Sequence, residues 1–225
     1  MKKTAIIFYG PPGSGKGTQA NLLAKKFDLI HFDTGKFLEN IVHDPARQKE
    51  KIVQRERALF DAGILLTPKF VLREVAKATK RIEKAGFGVI FSGSPRTMSE
   101  AEGFIPTLER HYGKENIFVF ELCLPAHGST ERNSKRLVCS ICGYTLLSKY
   151  YPSARPKYCP VCAGPFYKRT LDNADVIAVR LKEYRERTEP IFGFLKKRGY
   201  HIRVVDATPA PYKVFLKLND YIENA

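Results

Sequence analysis

Short apolar runs alternate with longer amphipathic segments along most of this 225-residue chain. The runs have the length of strands, whereas the segments between them repeat hydrophobic residues with the period of an α-helix. Strands that alternate with helices are typical of an α/β protein with a mostly parallel sheet. We therefore predict an α/β fold with a five-stranded sheet, whose strands cover residues 4–9, 29–32, 87–92, 117–124 and 201–205.

Two segments interrupt this alternation, and both lie between strands rather than at a chain end. Residues 34–84 have a helical pattern, with a stop signal at residues 61–63 and a start signal at Thr67 and Pro68. Residues 128–168 have little helical periodicity and many Tyr, Pro and Gly residues, which predicts a small β-rich insert. A long helix is predicted from Asn173 to Lys197, with Gly199 as its end signal.

The first strand leads into a glycine-rich loop, GPPGSGKGT over residues 10–18, and then into a helix. Glycines let the backbone approach phosphate oxygens and point N–H groups at them, and the helix start adds the positive end of its dipole. Lys16 supplies a positive charge for the β- and γ-phosphates. In the general pattern a residue with a hydroxyl follows the lysine directly, whereas here that residue is Thr18, one position later. The pattern predicts a nucleoside triphosphate site; the alternative is a glycine-rich turn that happens to contain a lysine.

Four of the five cysteines form two close pairs, Cys139 with Cys142 and Cys159 with Cys162. Paired two-residue gaps suit tetrahedral thiolate ligation of zinc, and disulfide bridges are the alternative. Cys123 lies alone in an apolar run and is expected to be a small buried hydrophobe without chemistry.

The chain is strongly basic, with 38 Lys and Arg against 23 Asp and Glu and a formal net charge of +15. Such an excess predicts anionic partners, but charge alone does not choose between nucleotides, nucleic acid and an acidic surface. No run of eighteen apolar residues could span a bilayer, and the apolar run after Lys3 is too short for a secretory signal. We expect a cytoplasmic protein without membrane contact.

Because a glycine follows Lys16 directly, the loop resembles the form found in adenylate kinases and related nucleoside monophosphate kinases. Further motifs resemble those of the same family and occur in the same order along nearly the whole chain. They are residues 33–35 (DTG), residues 93–97 (GSPRT), Glu131, Arg132 and Arg136 before the cysteines, Arg169, Asp172 and Arg180 after them, and residues 206–209 (DATP). The resemblance implies a P-loop core made of residues 1–33, 67–127 and 169–225. It also implies a monophosphate-binding insert at 34–66 and a zinc-binding lid at 128–168, of the long bacterial form.

The resemblance further implies reversible phosphoryl transfer from Mg-ATP to AMP, giving two ADP, in a monomer that does not bind nucleic acid. Its implied catalytic residues are basic groups that surround the phosphates: Lys16, Arg96, Arg132, Arg136, Arg169 and Arg180. ATP binding is implied for Gly13, Ser14, Gly15, Lys16, Gly17, Thr18, Arg132, Arg136, Thr145 and Thr208. Monophosphate binding is implied for Thr34, Gly35, Leu65, Leu66, Gly93, Arg96, Glu100, Arg169 and Arg180, and structural zinc for the four paired cysteines.

Four positions depart from the family pattern, three of them on the acceptor side. Glu39 stands where an arginine usually binds the acceptor phosphate, Ser94 replaces an aromatic residue, and Glu100 replaces a glutamine that reads the acceptor base. Ser92 replaces an aspartate that helps to hold the waters of magnesium, which leaves the ion to the nucleotide and Thr18. One hypothesis is that Arg47, Arg55 or Arg57 replaces the missing arginine; the alternative is that all three face solvent.

Two other functions stay open at this point. The acceptor could be GMP, CMP or UMP, because the departures fall around it. Alternatively, the basic charge and the cysteine insert could belong to a nucleotide-binding or RNA-binding protein without kinase turnover.

Overall fold

The computed structural model describes residues 3–146, 156–169 and 172–224. Its core is a parallel sheet with the strand order β2-β3-β1-β4-β8. The strands are β1 (Ala5–Tyr9), β2 (Ile30–Phe32), β3 (Val89–Phe91), β4 (Ile117–Cys123) and β8 (Ile202–Asp206). The predicted α/β class and all five predicted strands are confirmed, with bounds that differ by at most two residues at either end.

Both faces of this sheet are covered by helices, which is why its strands are continuous apolar runs. Along β1, Ala5, Ile7 and Tyr9 face one core and Ile6 and Phe8 face the other, and all five are buried. The first core lies against α4 (Pro68–Lys84), α5 (Met98–Tyr112) and α8 (Pro190–Lys197), and the second against α1 (Lys16–Phe27) and α9 (Pro211–Glu223). The two cores fix β1, and therefore the loop that follows it.

The helical segment after β2 contains α2 (Thr34–Val42), a 3₁₀ turn (Pro45–Arg47), α3 (Lys51–Asp61) and the start of α4. The predicted signals are confirmed: α3 ends at Asp61, Gly63 follows with a φ of 74°, and α4 begins at Pro68. Proline suits that first position because the N–H it lacks would have no partner within the helix.

The predicted β-rich insert contains a three-stranded antiparallel sheet, with β5 (Leu137–Cys139) between β6 (Thr145–Leu146) and β7 (Phe166–Tyr167). Its first residues are helical, because α6 (Ala126–Ser134) runs into it, so the prediction was wrong for this part. Within the described residues, no helix is both long enough and apolar enough to cross a membrane.

The long helix predicted from Asn173 to Lys197 is interrupted. It consists of α7 (Ala174–Glu183), a π-helical turn (Tyr184–Thr188) and α8, and Gly199 follows it with a φ of 77°. The Glu189 N–H donates to the carbonyl of Tyr184 at 3.0 Å, five residues back. Pro190 has no N–H to donate to the preceding turn, and a wider turn before it accommodates that loss.

Candidate active site

The predicted phosphate loop connects β1 to α1, at the carboxyl end of the central strand. Two of its glycines, Gly10 and Gly13, are required by close packing. A Cβ on Gly10 would lie 2.5 Å from the carbonyl oxygen of Leu122, and one on Gly13 would lie 2.6 Å from Nδ2 of Asn133. Both have a positive φ, of 141° and 76°, which disfavours other residues. The loop lines a cavity of about 1070 Å³.

Lys16 begins α1, and its side chain folds back over the loop. Nζ donates to the carbonyls of Gly10, at 2.6 Å, and Pro11, at 2.9 Å. Burial lowers the pKa of Lys16 well below its usual value, and repulsion from Arg96 and Arg180 lowers it further. An anion that accepted hydrogen bonds from Nζ would relieve this unfavourable environment.

Arginines from four separate segments converge on the same cavity. Arg96 follows β3, Arg136 follows α6, Arg169 follows β7, and Arg180 lies on α7. Burial, followed by repulsion from the other three, lowers the pKa of Arg180 to about 9. Among the described residues, Nη1 of Arg180 has no hydrogen-bond partner although it is buried. This convergence of charge is a suitable environment for several phosphates.

Two carboxylates partly balance this charge. Asp172 is fully buried and binds Arg136 with both oxygens, including a bond of 2.8 Å from Nε. Glu39 on α2 lies 3.6 Å from a guanidinium nitrogen of Arg169. Glu39, which stands where the family has an arginine for the acceptor phosphate, therefore lies beside one of the arginines predicted to bind that phosphate.

Arg132 on α6 connects two loops rather than projecting freely into the cavity. It donates to the carbonyls of Ala207, at 2.8 Å, and Thr208, at 3.0 Å, and it lies 3.4 Å from the carbonyl of Gly13. Thr208 is held in turn by Asp206, which accepts from its N–H and its hydroxyl, each at 2.9 Å. Thr208 and Thr145 line the cavity on this side.

On the opposite side, all of the predicted acceptor residues except Thr34 line the cavity: Gly35, Leu65, Leu66, Gly93, Arg96, Glu100, Arg169 and Arg180. Thr34 is buried behind this surface, and a Cβ on Gly93 would lie 3.2 Å from its Cβ. Two buried hydroxyls here, those of Thr34 and Ser94, lack a partner within the described parts of the chain. Neither of these two residues lines the cavity.

Glu100 has a structural role that the sequence analysis missed. Its carboxylate accepts from the N–H of Arg96, at 2.8 Å, and from the hydroxyl of Thr97, at 3.2 Å, while Thr97 caps α5. The signal was available, because Thr followed three residues later by Glu is the pattern of a capping box. Burial raises the pKa of Glu100. Both of its carboxylate oxygens are thus engaged without a ligand.

The hypothesis that Arg47, Arg55 or Arg57 replaces the acceptor-phosphate arginine gains no support, because none of them lines the cavity. Each is paired with a neighbour on the insert instead. Arg47 binds Glu50 at 2.8 Å, Arg55 binds Glu56 at 2.8 Å, and Arg57 donates to Gln48 at 2.8 Å.

A short polar chain near the phosphate loop was also missed. His31 on β2 lines the cavity, with Nδ1 2.6 Å from Oδ1 of Asn21 and Nε2 2.8 Å from the hydroxyl of Ser92. Because Asn21 Oδ1 only accepts, Nδ1 carries the hydrogen, and Nε2 of the neutral ring accepts from Ser92. No short-range sequence pattern predicts these hydrogen bonds, because they join side chains from three separate elements.

His31 should make stability depend on pH. Burial lowers its pKa in the folded protein, against an opposing effect of Asp33. The unfolded chain then binds a proton that the folded chain resists, so stability should fall as pH drops below about 6.5. We expect the free energy of unfolding, measured in urea, to fall less between pH 7.5 and pH 5.5 for His31→Gln than for the native protein. His201→Gln, at an exposed site, is the control; equal losses in all three proteins would contradict the prediction.

The four paired cysteines come together at one end of the small sheet. Their Sγ atoms all lie within 4.8 Å of one another, and all four thiols are free of disulfides. Four sulfurs at about 2.3 Å from one ion would be separated by distances of this order, so the cluster fits a tetrahedral metal ion. The thiols of Cys139 and Cys162 lie 3.4 Å apart, and the Val161 N–H lies 3.4 Å from Cys159 Sγ. Cys123 lies apart from them, half-buried in β4.

Comparisons with known proteins agree with this geometry. A family model described as adenylate kinase matches residues 8–200. A protein called adenylate kinase from Paramagnetospirillum magneticum is 32% identical over 206 residues, which cover 90% of this chain and 91% of that protein. Proteins of the same name from Caldicellulosiruptor bescii and Pelobacter propionicus are 30% and 29% identical. They cover 86% and 97% of this chain, and 87% and 96% of their own lengths.

Proposed function

Because this chain belongs to the adenylate kinase family, we propose that its basic cavity is where it transfers a phosphoryl group from ATP to AMP, giving two ADP. The protein is a phosphotransferase of the nucleoside monophosphate kinase class. The observation that carries the assignment of the site is the crowding of partly buried cations, Lys16, Arg96 and Arg180, whose pKa values are all lowered by loss of solvent. Such a cluster is unfavourable without anions and well suited to two nucleotides.

In the proposed mechanism, the phosphate loop and Lys16 hold the β- and γ-phosphates of ATP. An oxygen of the acceptor monophosphate attacks the γ-phosphorus, and the bond from that phosphorus to the bridging oxygen of ADP breaks. The attacking oxygen is already anionic, so no general base is needed. Arg96, Arg169 and Arg180 bind the acceptor and transferred groups, whereas Arg132 and Arg136 belong to the donor side. Catalysis is then positioning and charge stabilisation.

Magnesium would accompany ATP and neutralise part of its charge. Thr18 lines the cavity beside the loop and would contact the ion. The hydroxyl of Ser92, donated to His31, keeps its oxygen lone pairs for a water of the ion. The hydrogen-bonded pair of Ser92 and His31 is thus a neutral counterpart of the aspartate that the family pattern has in place of Ser92.

We assign zinc to the four-cysteine cluster, in a structural role, because four thiolates leave no position for substrate. Residues 34–66 and 128–168 are proposed to close over acceptor and donor, which would exclude water as a competing acceptor. Thiolates that stay reduced are expected in the cytoplasm, where we place this protein. We expect the chain to act as a monomer.

The proposal is tested by a panel of AMP, GMP, CMP and UMP, each with ATP and magnesium and coupled detection of ADP. AMP should give the highest kcat/KM. A preference for another monophosphate would preserve the kinase and replace the acceptor, which the engaged carboxylate of Glu100 makes a specific alternative. Absence of turnover with every monophosphate, together with salt-dependent RNA binding, would overturn the proposal in favour of an RNA-binding protein.

A further inference from the structure

The carboxylate of Glu39 forms one ion pair within the described parts of the chain, and its partner is Arg169. A carboxylate oxygen lies 3.6 Å from a guanidinium nitrogen, which is longer than a hydrogen bond. The two residues come from different segments, because Glu39 lies on α2 and Arg169 follows β7. Their side chains are 40% and 28% exposed, so water competes for both charges. The contact is therefore a weak ion pair that a better partner can replace.

The ion pair of Asp172 with Arg136 in the same cluster is of a different kind. Asp172 is fully buried and binds Arg136 with both oxygens, including a bond of 2.8 Å from Nε. Separating such a buried pair is strongly unfavourable. Asp172 is thus a lasting partner for Arg136, whereas Glu39 gives Arg169 a counter-charge that can be exchanged.

Arg169 faces a second environment besides Glu39, because it lines the cavity and Glu39 does not. Burial lowers the pKa of Arg96 and of Arg180 on the cavity wall, and the charge of Arg169 lowers both further. Without nucleotide, this repulsion favours a position of Arg169 beside Glu39. A phosphate bound among the three arginines reverses the preference, since it accepts the charge-assisted hydrogen bonds that Glu39 does not.

We propose that Glu39 is a positioning residue, which holds Arg169 in the nucleotide-free protein and releases it to the phosphate of the acceptor monophosphate. The inference rests on the proposed function, since it assumes that an acceptor phosphate binds beside Arg96, Arg169 and Arg180. Acceptor binding then includes the separation of an ion pair, so Glu39 weakens the affinity for the acceptor. Because every monophosphate has the same phosphate group, the effect is the same for each of them.

The test is Glu39→Gln, which removes the charge and keeps the size of the side chain. We expect the KM and the dissociation constant of the acceptor to fall about threefold to fivefold, with kcat and the KM for ATP within about twofold. Every monophosphate that is turned over should show the same factor. The midpoint of thermal unfolding without nucleotide should fall by about 2 °C, because Arg169 loses its counter-charge beside two other arginines. Tighter binding with lower stability is not what a purely structural carboxylate would show.

A double-mutant cycle with Arg169→Met separates exchange from simple repulsion between Glu39 and the phosphate. In the Arg169→Met background, Glu39→Gln should change neither the midpoint of unfolding nor the acceptor dissociation constant measured by calorimetry. Glu50→Gln is the matched control, because Glu50 pairs with Arg47 at 2.8 Å on the same insert and does not line the cavity. It should leave the acceptor KM unchanged.

Unchanged acceptor affinity in Glu39→Gln, or an equal gain in affinity with and without Arg169, would overturn the inference. Unfolding midpoints that show no coupling between the two residues would overturn it as well, and they need no acceptor. Affinities are measured with whichever monophosphate gives the highest kcat/KM in the panel. Failure of AMP as acceptor therefore counts against the proposed acceptor and not against Glu39.

Discussion

Arg180→Met is expected to lower kcat/KM by about 10² to 10³ while raising the midpoint of thermal unfolding. Both effects have one cause. Arg180 is partly buried among Arg96, Arg136 and Arg169, its buried Nη1 is unpartnered within the described residues, and its pKa is lowered to about 9. The folded protein without nucleotide therefore carries a destabilising charge, which becomes favourable only when phosphates arrive. Methionine removes the charge and fills much of the space.

The measurements are steady-state kinetics with the preferred acceptor and calorimetric unfolding without nucleotide. Arg185→Met, at an exposed position of the π-helical turn on the same long helix, should change neither by much. ATP should raise the unfolding midpoint of the native protein more than that of Arg180→Met, because binding energy is lost with the charge. A variant that is both inactive and less stable would show that Arg180 supports the fold instead.

Loss of the metal ion should unfold the small sheet without unfolding the core. The strands β5, β6 and β7 are only two or three residues long, and Ile141 and Val161 beside the cysteines are 72% and 67% exposed. So small a sheet with exposed apolar residues is not stable by itself, and the proposed metal ion would supply the missing stability. Cys159→Ser, or treatment with a chelator, should reduce kcat at least tenfold.

Hydrogen exchange followed by mass spectrometry checks this prediction directly. Peptides from 137–146 and 156–169 should lose protection, and peptides from β1 and β4 should keep it. Metal content should fall from one ion per chain to none in Cys159→Ser and stay at one in Cys123→Ser, which changes the cysteine outside the cluster. Full protection of the small sheet in metal-free protein would contradict a structural metal.

Much of the fold was predictable because its determinants are local. The strands around Ile7, Ile90 and Phe120 are apolar runs bounded by turn residues, and the loop at Gly10 follows from a backbone requirement that only glycine meets. The cysteine cluster was predictable for the same reason, because each pair of cysteines is close in the sequence.

The details of the site were less predictable because they depend on contacts between distant segments. Glu39 could be identified as a departure, but its position beside Arg169 depends on how α2 packs across the cavity. The partners of His31, and the lack of a described partner for Nη1 of Arg180, likewise depend on tertiary structure. For Glu100, the family position implies monophosphate binding, and the sequence also contains a local capping pattern that predicts its contact with Thr97.

The π-helical turn between α7 and α8 also sets a rotational phase. Each residue of a helix advances the chain by about 100°, so the extra residue of this turn rotates everything after it by that angle. With this rotation, Ile191 and Leu195 point into the core while Arg180 points into the cavity and Thr188 donates to the carbonyl of Arg96 at 2.9 Å. A one-residue deletion in this turn would leave the sequences of both helices unchanged. Arg180 could then no longer face the cavity while Ile191 and Leu195 face the core.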